Sequence, residues 1–516
     1  MSPPSACTPG DDGRFIDPTV LAAAPRFTIF ETGIFADVEL RIRSLIDEGL
    51  DDHISVDLAQ HLSELNLLDG LKRHPRRVVS DAELHVPVAL AFPSVLFGRL
   101  NPDPSWGSAY AASWNTRASH NKRMERLQIA LESSSAYQQR KPFLFLHSYW
   151  DISKSFTPPL LWSISRQRGG YLATADSFWS ELPPNPFSTS LNIPYRAHYL
   201  TARRNTSSAY PFRLRRGIIF HGALTNQHNI MRPGRAELAA LRDELRVPFS
   251  LVTGQNASFG WSNRGLRRSA AANAAAHYSA RSMLTAQLCL IPEGDSITSR
   301  RLYDALAAGC VPVLLRLNVT TWNDELPFPD IIDWRSIALV HAWPAPISAT
   351  ARWLEGHAAN TPTLEAMSAR GREVFEKYLD IDCHPAGVAA AMLATVGRLL
   401  SRSQQLQRSS RLGPYVPTPL DSVAWMFDSL NMSLGGPNLA RRMANTGYLA
   451  RRMANTGYVV PGTTQPSVRR NPGEAPRLAY QRWRKRRTRP GNAPLRNGSA
   501  HRKLMAEKRD RPGGAR

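Results

Sequence analysis

The stretch QLCLIPEGDSITSRRLYDALAAGCVPVLL, residues 287–315, decides the fold. Its first part, QLCLIPEG at 287–294, is an apolar run too short for a helix, and it predicts a buried strand that ends in a Pro/Gly turn. TSRRLYDALAA at 298–308 predicts a helix, and Gly309 stands just beyond the last turn, where helices favour glycine. CVPVLL at 310–315 predicts the next strand. Strand, helix and strand in this order predict two parallel strands joined by a right-handed crossover.

The same alternation extends on both sides of this stretch. RRGIIFHGAL (215–224) and PFSLVTG (248–254) predict strands, and RPGRAELAALRDELR (232–246) between them predicts a helix. In the first half, LHVPVALAF (84–92) and PFLFLHSYW (142–150) also predict buried strands. Strands that alternate with helices predict parallel sheets, so the fold class is α/β and Rossmann-like. A length of 516 residues exceeds one ordinary domain.

The basic charge of the chain is concentrated in its C-terminal tail. The formal net charge is +22, and residues 459–516 alone contribute +13. The tail contains the basic run QRWRKRRTRP (481–490), and LARRMANTGY occurs twice in tandem, at 439–448 and 449–458. Such a tail is typical of a solvated, disordered chain, although a dense basic run can also bind nucleic acid, an acidic membrane or an anionic polysaccharide.

The cysteines and the N-terminus argue against two classes of protein. Cys7, Cys289, Cys310 and Cys383 are too few and too scattered for a disulfide framework, and none has metal-ligand spacing. We interpret Cys289 and Cys310, which lie in apolar strands, as small buried side chains. The N-terminal residues lack the basic and apolar regions of a signal peptide, and no apolar stretch reaches the roughly 20 residues of a transmembrane helix. As written, the sequence predicts no membrane span.

The turn after the strand at 287–294 carries groups that suit an anion. Ligands of parallel α/β sheets bind beyond the carboxyl ends of the strands, where helix N-termini present free amides. There Gly294 permits close approach of the backbone, and Ser296, Thr298 and Ser299 offer hydroxyls. The sequence has neither the GxxxxGKS phosphate-binding loop nor the GxGxxG dinucleotide motif.

Two arginines, Arg300 and Arg301, stand at the start of the predicted helix. A cation there opposes the helix dipole, so the placement is favourable when a multiply charged anion such as a diphosphate binds. Consecutive residues of a helix face different directions, so we expect at most one of the two to be a direct ligand. The alternative is that both are exposed, with one of them paired to Glu293, Asp295 or Asp304.

These residues resemble the signature block of the exostosin-like glycosyltransferases. The shared order across 292–334 is Pro-x-Gly-Asp, Ser/Thr-Ser-Arg-Arg, an Asp-Ala helix, Gly-Cys-x-Pro-Val, Leu-Pro-Phe and Asp-Trp. Two collinear segments are also similar to the family: DAELHVP (81–87), and RRGIIFHGAL with Arg232 and Arg235 downstream. The resemblance covers residues 26–400.

The resemblance implies a GT-B fold, in which two Rossmann-like domains face each other across a cleft. On this fold, residues 1–24 are a disordered N-terminal segment, 25–195 the acceptor-side domain and 196–400 the nucleotide-sugar donor domain. A closing helical segment follows at 401–430, and a disordered basic tail at 431–516. It also implies an inverting hexosyl or pentosyl transfer from a UDP-sugar, with no metal required, to a polysaccharide or a glycoprotein glycan. The implied partners are the nucleotide sugar, the glycan acceptor and a related glycosyltransferase in a homo- or hetero-oligomer, with no specific nucleic acid. The implied location is the Golgi lumen or membrane.

On this resemblance, the donor block would stabilise the leaving diphosphate. Arg300 is the first expectation for this role, helped by Ser296, Ser299 and the helix amides. Arg232 or Arg235 would reach the same phosphates, unless each is an ordinary surface arginine. Hydroxyls of the ribose or the sugar would bind one of two carboxylates, Glu293 or Asp295.

Inverting transfer also needs a base that takes the acceptor's proton. HSYWD, at the end of the predicted strand 142–150, offers His147 and Asp151. The alternative is a structural histidine and an aspartate that caps a helix. The single Asp-x-Asp, Asp380–Asp382, follows the donor block, and we interpret it as a surface or packing feature rather than a metal site.

Two alternatives compete with an active enzyme. One is a catalytically inactive exostosin-like subunit that supports an active partner; the intact donor block argues against it, and the thin match in the first half argues for it. The other is anion or nucleic-acid binding through the basic tail, which deletion of 459–516 would abolish together with its salt dependence.

Overall fold

The structure of the protein, a computed structural model, contains two parallel five-stranded sheets that follow one another along the chain. It describes residues 16–47, 62–94, 117–148, 155–165, 170–175, 189–197, 210–222, 235, 237–252, 270–293, 299–316, 319–320 and 322–409. All of these residues belong to one compact unit, Met1–Arg442. The predicted tail at 431–516, its tandem repeat and residues 410–430 lie outside the described residues.

The first sheet has the strand order β1-β2-β3-β4-β5, and its neighbouring strands are parallel. The strands are β1 (Phe27–Phe30), β2 (Leu84–Pro87), β3 (Phe143–His147), β4 (Gly170–Thr174) and β5 (Thr189–Asn192). The helices of this half are α1 (Pro18–Ala23), α2 (Ala36–Asp47), α3 (Ser63–Arg73), α4 (Arg117–Glu132), α5 (Ser135–Gln138) and α6 (Pro158–Ser165). Strands β3 and β4 are buried along their whole length, which explains their continuous apolar sequences.

The second sheet has the strand order β10-β9-β8-β6-β7 and is also parallel. Its strands are β6 (Ile218–His221), β7 (Phe249–Val252), β8 (Leu288–Pro292), β9 (Val311–Arg316) and β10 (Leu339–Ala342). Its helices are α7 (Leu238–Glu244), α8 (Ala270–Thr285), α9 (Arg300–Ala308), α10 (Ile347–Ala359) and α11 (Thr361–Val374), and the last helix of the described chain is α12 (Pro385–Ser409). The predicted α/β fold with two Rossmann-like halves, the GT-B class, is confirmed.

The decisive stretch folds as its pattern predicts. Strands β8 and β9 pair in parallel through the crossover helix α9, with Cys289 opposite Pro312. Residues 302–308 of α9 are all buried, because the helix packs against β8 and β9 and also against the helices α8 and α11. Gly309 ends the helix with φ of +66°, in the left-handed region that is unfavourable for residues with a side chain. The turn from helix to strand therefore depends on this glycine.

Helix α12 connects the second half back to the first. Its residues from Val388 to Val396 are buried, and it packs against α1 and α3. The approach to α1 is close: a Cβ added at Gly397 would lie 2.1 Å from the carbonyl oxygen of Ala23. The helix begins at Pro385, inside the range predicted for the donor domain. Neither α12 nor any other helix in the described ranges is long and apolar enough to cross a membrane.

Direct contacts also join the two halves. The side-chain amide of Asn192, at the end of β5, donates to the backbone carbonyl of Glu325 at 2.7 Å. The rings of Tyr195 and Tyr303 meet edge to face with their centroids 6.2 Å apart. Apolar residues of both halves thus belong to one continuous core.

The interpretation of the cysteines as free side chains is wrong. Cys289 and Cys310 form a disulfide with Cα atoms 5.9 Å apart. The parallel pairing of β8 with β9 brings the two residues together, since Cys289 lies opposite a residue only two places after Cys310. Both are at most 1% exposed, so the predicted burial is correct. Cys383 is also disulfide-bonded.

Residues 16–24 differ from the disorder predicted for 1–24, while residues 1–15 lie outside the described ranges. Residues 18–23 form α1, with Pro18 in the first turn and the Asp17 carboxylate accepting from the backbone amide of Thr19 at 2.9 Å. The helix buries Val20, and the ammonium of Lys377 lies 3.2 Å from the Asp17 carboxylate. Capping, burial and an ion pair together explain why this short segment is ordered.

Candidate functional site

Three backbone segments meet at the carboxyl edge of the second sheet. Strand β6 ends at His221 and is followed by Gly222, while β8 ends at Pro292 and is followed by Glu293. Helix α9 begins directly after Ser299, its N-cap residue. Since these strands are parallel, their ends lie at the same edge, where α/β proteins bind ligands.

Arg301 extends from α9 across the end of β6. Its Nη1 donates to the hydroxyl of Ser299 at 3.2 Å, and its guanidinium lies over the ring of Phe220, 5.7 Å from the centroid. A Cβ at position 222 would lie 2.7 Å from its Nη2, so the absence of a side chain at Gly222 makes room for the arginine. Arg301 is half-buried.

Arg300 points elsewhere, as expected for its neighbour on a helix. Its Nε donates to the carboxylate of Asp304, one turn along α9, at 3.2 Å. This is one of the pairings that the sequence left open for the two arginines. Of the two, therefore, it is Arg301 that lies over the strand end, whereas the sequence favoured Arg300 for the leaving diphosphate.

Arg235 also reaches this edge. Its side chain is buried, and its Nε donates to the backbone carbonyl of Glu293 at 3.0 Å. The structure thus brings Arg235, Glu293, Ser299 and the α9 arginines together. The other predicted donor residues lie outside the described residues; they are Arg232, Gly294, Asp295, Ser296 and Thr298.

His221 is a member of the cluster that the sequence analysis did not identify. It is the last residue of β6, and its Nδ1 is hydrogen-bonded to the hydroxyl of Ser279 on α8. Burial, together with the charges of Arg301 and Arg300, lowers the pKa of His221 to about 4. The His-Gly pair at a strand end in RRGIIFHGAL is the sequence signal that could have found it.

The cluster is suited to a ligand with several negative charges. Its guanidinium groups come from three positions, and a guanidinium binds phosphate oxygens through two parallel hydrogen bonds. Within the described part of the chain, the carboxylate of Asp304 is paired with one of these groups, Arg300. We refer below to Gly222, His221, Arg235, Ser299, Arg300 and Arg301 as the donor cluster.

In the first half, the predicted base His147 is completely buried. Its ring lies between Phe92 and Phe156, with centroid distances of 6.1 and 5.3 Å. This surrounding agrees with the structural alternative, because a side chain with no exposed surface does not meet an acceptor hydroxyl in this conformation. Asp151 lies outside the described residues.

A second carboxyl group, Glu64 of α3, lies at the same end of β3 and was missed from the sequence. Its Oε1 accepts from the backbone amide of Ser148 at 2.8 Å and from the Ser148 hydroxyl at 3.1 Å. Burial raises the pKa of Glu64 to about 8, while the amides of Ser148, Phe92 and Ala91 act in the opposite direction. Its place in the first turn of an amphipathic helix gives no sequence sign of this burial.

The Asp-x-Asp pair packs between the two halves. The carboxylate of Asp382 accepts from Arg196 at 2.7 Å and from the amide of Asn66 at 2.6 Å. The carboxylate of Asp380 accepts from the backbone amides of Asp382 and Cys383, and burial raises its pKa to about 7. Within the described ranges, no group of three or more His, Cys, Asp or Glu residues is arranged to hold a metal ion.

Comparison with known proteins matches part of the chain to a described family. Residues 191–348 match the family profile described as the Exostosin GT47 domain. The chain carries an exostosin domain of the glycosyltransferase type. Every residue of the donor cluster falls within the exostosin domain, and so does the disulfide between β8 and β9.

The relatives share short segments with this chain. Exostosin-1a of Danio rerio is 48% identical over 52 residues, which are 10% of this chain and 6% of that protein. Exostosin-1 of Mus musculus is 42% identical over 64 residues, 12% of this chain and 8% of that protein. "Probable arabinosyltransferase ARAD1" of Arabidopsis thaliana is 37% identical over 57 residues, 11% and 12% of the two chains. The matches thus span 6–12% of the length of these relatives.

Solved structures with similarity to the chain include Anabaena HepE in complex with UDP, with 11% sequence identity and a TM-score of 0.29. That alignment covers 67% of this chain and 96% of the other. MurG of Acinetobacter baumannii also has 11% identity and a TM-score of 0.29, with 67% and 95% of the two chains covered.

Proposed function

We propose that this protein is a glycosyltransferase that moves a hexose or a pentose from a UDP-sugar to a polysaccharide or a glycoprotein glycan with inversion. The observation that carries the proposal is the donor cluster: Arg301, Arg235 and His221 meet at the carboxyl edge of the second sheet inside an exostosin domain. A UDP-sugar presents two adjacent phosphates, and these match a cluster of guanidinium groups.

The arginines would act on the leaving group. When the bond between the sugar and the phosphate breaks, negative charge grows on the departing UDP, and preorganised cations that meet this charge lower the barrier. Arg301, fixed by Ser299 and by the ring of Phe220, would contact the phosphates directly. Arg300, held by Asp304, would add long-range positive charge. Because side chains supply this charge, the proposal includes no metal ion.

The remaining donor residues retain their predicted roles in this proposal. Ser296, Ser299 and the first amides of α9 would bind phosphate oxygens, and Arg232 would reach the same phosphates. Glu293 or Asp295 would bind hydroxyls of the ribose or the sugar. Arg235 would fix the backbone after β8 through the Glu293 carbonyl, to which it donates at 3.0 Å.

The acceptor would bind against the first half. The burial of His147 leaves Asp151 as the residue that we propose for the base, since it follows β3 along the chain. Glu64, whose carboxyl group binds both the amide and the hydroxyl of Ser148, would fix the start of the segment that leads to Asp151.

The disulfides support a location in an oxidising compartment. Disulfides form and persist along the secretory route and are rare in the cytosol. The buried bond between Cys289 and Cys310 lies inside the exostosin domain, at the amino ends of β8 and β9. We therefore propose that the activity takes place in the lumen of the Golgi. We also propose that the protein acts in a homo- or hetero-oligomer with a related glycosyltransferase.

Calorimetric titration of the full chain with UDP, with GDP beside it, tests the donor site. We expect UDP to bind, and Arg301→Ala to weaken binding by roughly tenfold to a hundredfold through the loss of charge-assisted hydrogen bonds. Arg352→Ala is the matched control, because Arg352 is an exposed arginine on α10 of the same half. A folded protein that binds neither nucleotide would refute the proposal.

Transfer assays then separate an enzyme from an inactive subunit. Panels of UDP-hexoses and UDP-pentoses, with oligosaccharide acceptors, should give a product of inverted anomeric configuration. UDP binding without any transfer, alone or with a related partner, would favour the inactive subunit. Deletion of 459–516 should leave UDP binding unchanged. If the deletion abolishes UDP binding, the anion site lies in the tail.

A further inference from the structure

His221 belongs to the donor cluster but has no role in the mechanism described above. It ends β6, contacts α8 through the hydroxyl of Ser279, and precedes Gly222, over which the Arg301 guanidinium lies. A histidine is the side chain whose charge changes most readily near neutral pH. The groups around His221 therefore decide whether its imidazole is charged or neutral when a ligand occupies the donor cluster.

The charges around His221 come from known elements. Helix α9 contributes Arg301 and Arg300, the second of which is paired with Asp304. Helix α8 contributes the neutral hydroxyl of Ser279, and the segment after β8 contributes Glu293, whose carbonyl is bound by Arg235. The parallel neighbour β7 ends at Val252, opposite His221. Among the described residues, the charges that shift the pKa of His221 are the two arginines, and both lower it.

Binding of a diphosphate reverses this balance. Two phosphates placed against Arg301 would bring at least two negative charges next to the imidazole, and an opposite charge within about 4–6 Å raises the pKa of a histidine. The hydrogen bond between Nδ1 and the Ser279 hydroxyl suits the charged ring, because the hydroxyl can accept from Nδ1–H. Nε2 is then the atom that gains a proton and donates to a phosphate oxygen.

We propose that His221 is a further donor-site residue that takes up a proton when a nucleoside diphosphate binds and holds it through transfer of the sugar. The proton comes from solvent, is carried on Nε2 beside the phosphates, and returns to solvent when the nucleoside diphosphate leaves. This inference rests on the proposed function, since it requires that the donor cluster bind a diphosphate. It makes His221 a ligand of the leaving group whose charge appears only with that group.

Proton uptake is measured by titrating the full chain with UDP at pH 7 in buffers of different ionisation enthalpy. The wild type is compared with His221→Gln, which keeps a polar side chain but cannot become a cation. Because UDP itself exchanges protons, the difference between the two proteins isolates the contribution of His221. We expect the wild type to take up a measurable fraction of a proton, at most about one half, more per site than His221→Gln. His85→Gln is the matched control, since His85 is a half-buried histidine of β2 whose pKa is also lowered, and it should behave as the wild type.

The outcomes separate this inference from the function on which it rests. If the wild type does not bind UDP, both are wrong. If it binds UDP and His221→Gln shows equal proton uptake, the proposed role of His221 is wrong and the donor site stands. If His221→Gln fails to fold, Ser279→Ala carries the test: loss of the acceptor for Nδ1 should reduce the uptake, and an unchanged uptake would overturn the inference.

Discussion

Gly222→Ala tests the arrangement of the donor cluster with one methyl group. The new Cβ would lie 2.7 Å from Nη2 of Arg301, 3.0 Å from its Cζ and 3.0 Å from the Phe220 ring. Contacts this short cannot persist, and the flexible end of the arginine is the part that moves most cheaply. The substitution should therefore displace the guanidinium from the end of β6 while the backbone keeps its course.

The size of the effect follows from what the displaced group would bind. A hydrogen bond to a charged group contributes about 1.5–3 kcal/mol, so UDP should bind roughly tenfold to a hundredfold more weakly. The free energy of unfolding should change by less than about 1 kcal/mol, because a side-chain tip rather than the core gives way. Calorimetry with UDP and urea denaturation measure the two quantities on the same preparation.

Gly356→Ala provides the matched control. Gly356 lies in helix α10 of the same half, and a Cβ there meets no atom within 4 Å. Alanine should stabilise that helix by up to about 1 kcal/mol and leave UDP binding unchanged. The reasoning about Arg301 is refuted if Gly222→Ala binds UDP as tightly as the wild type, or if the loss of binding merely follows a loss of fold.

Three further predictions concern the groups that hold the fold around the site. Burial raises the pKa of Glu64 from 4.5 to about 8, so folding takes up a proton between these values and the free energy of unfolding falls as the pH rises through them. Glu64→Gln should remove this dependence, which is at most about 1.4 kcal/mol per pH unit. Urea denaturation at pH 5 and pH 8 measures it, and the reasoning fails if the stability of the variant changes with pH as much as that of the wild type. Reduction of the disulfide between Cys289 and Cys310, or Cys310→Ala, should cost about 3 kcal/mol of stability in chemical denaturation, and a loss near zero would mean that the bond constrains little. Asp382→Ala leaves the buried guanidinium of Arg196 without the Asp382 carboxylate and should lower the free energy of unfolding by about 3–5 kcal/mol. A loss below about 1 kcal/mol would show that water can take the place of the carboxylate.

The sequence predicted the elements of the second half because their signals are local. Apolar runs of strand length, a helix of mixed polarity and a glycine at its end specify β8, α9 and β9 from neighbouring residues alone. The prediction of an anion site at this edge followed from topology, since parallel strands end at one edge. The pairing of Arg300 with Asp304 was also within reach, because the two residues are one helical turn apart.

The features that were missed depend on residues distant in sequence. The disulfide requires the register of two strands, and the spacing of Cys289 and Cys310 alone does not give it. Glu64 is buried because α3 packs over the end of β3, which a helical pattern does not reveal. His147 at the end of a strand looks the same in sequence whether it meets solvent or, as here, two phenylalanine rings.

Helix α12 has a consequence for how the two halves can move. The chain passes between them once from β5 to β6 and returns through α12, which lies against α1 and α3. A body joined to another at a single point can swivel in any direction, but one joined at two points can turn only about the line through both. Any opening between the two halves should therefore be a hinge rotation about a single axis, which passes through the two chain crossings.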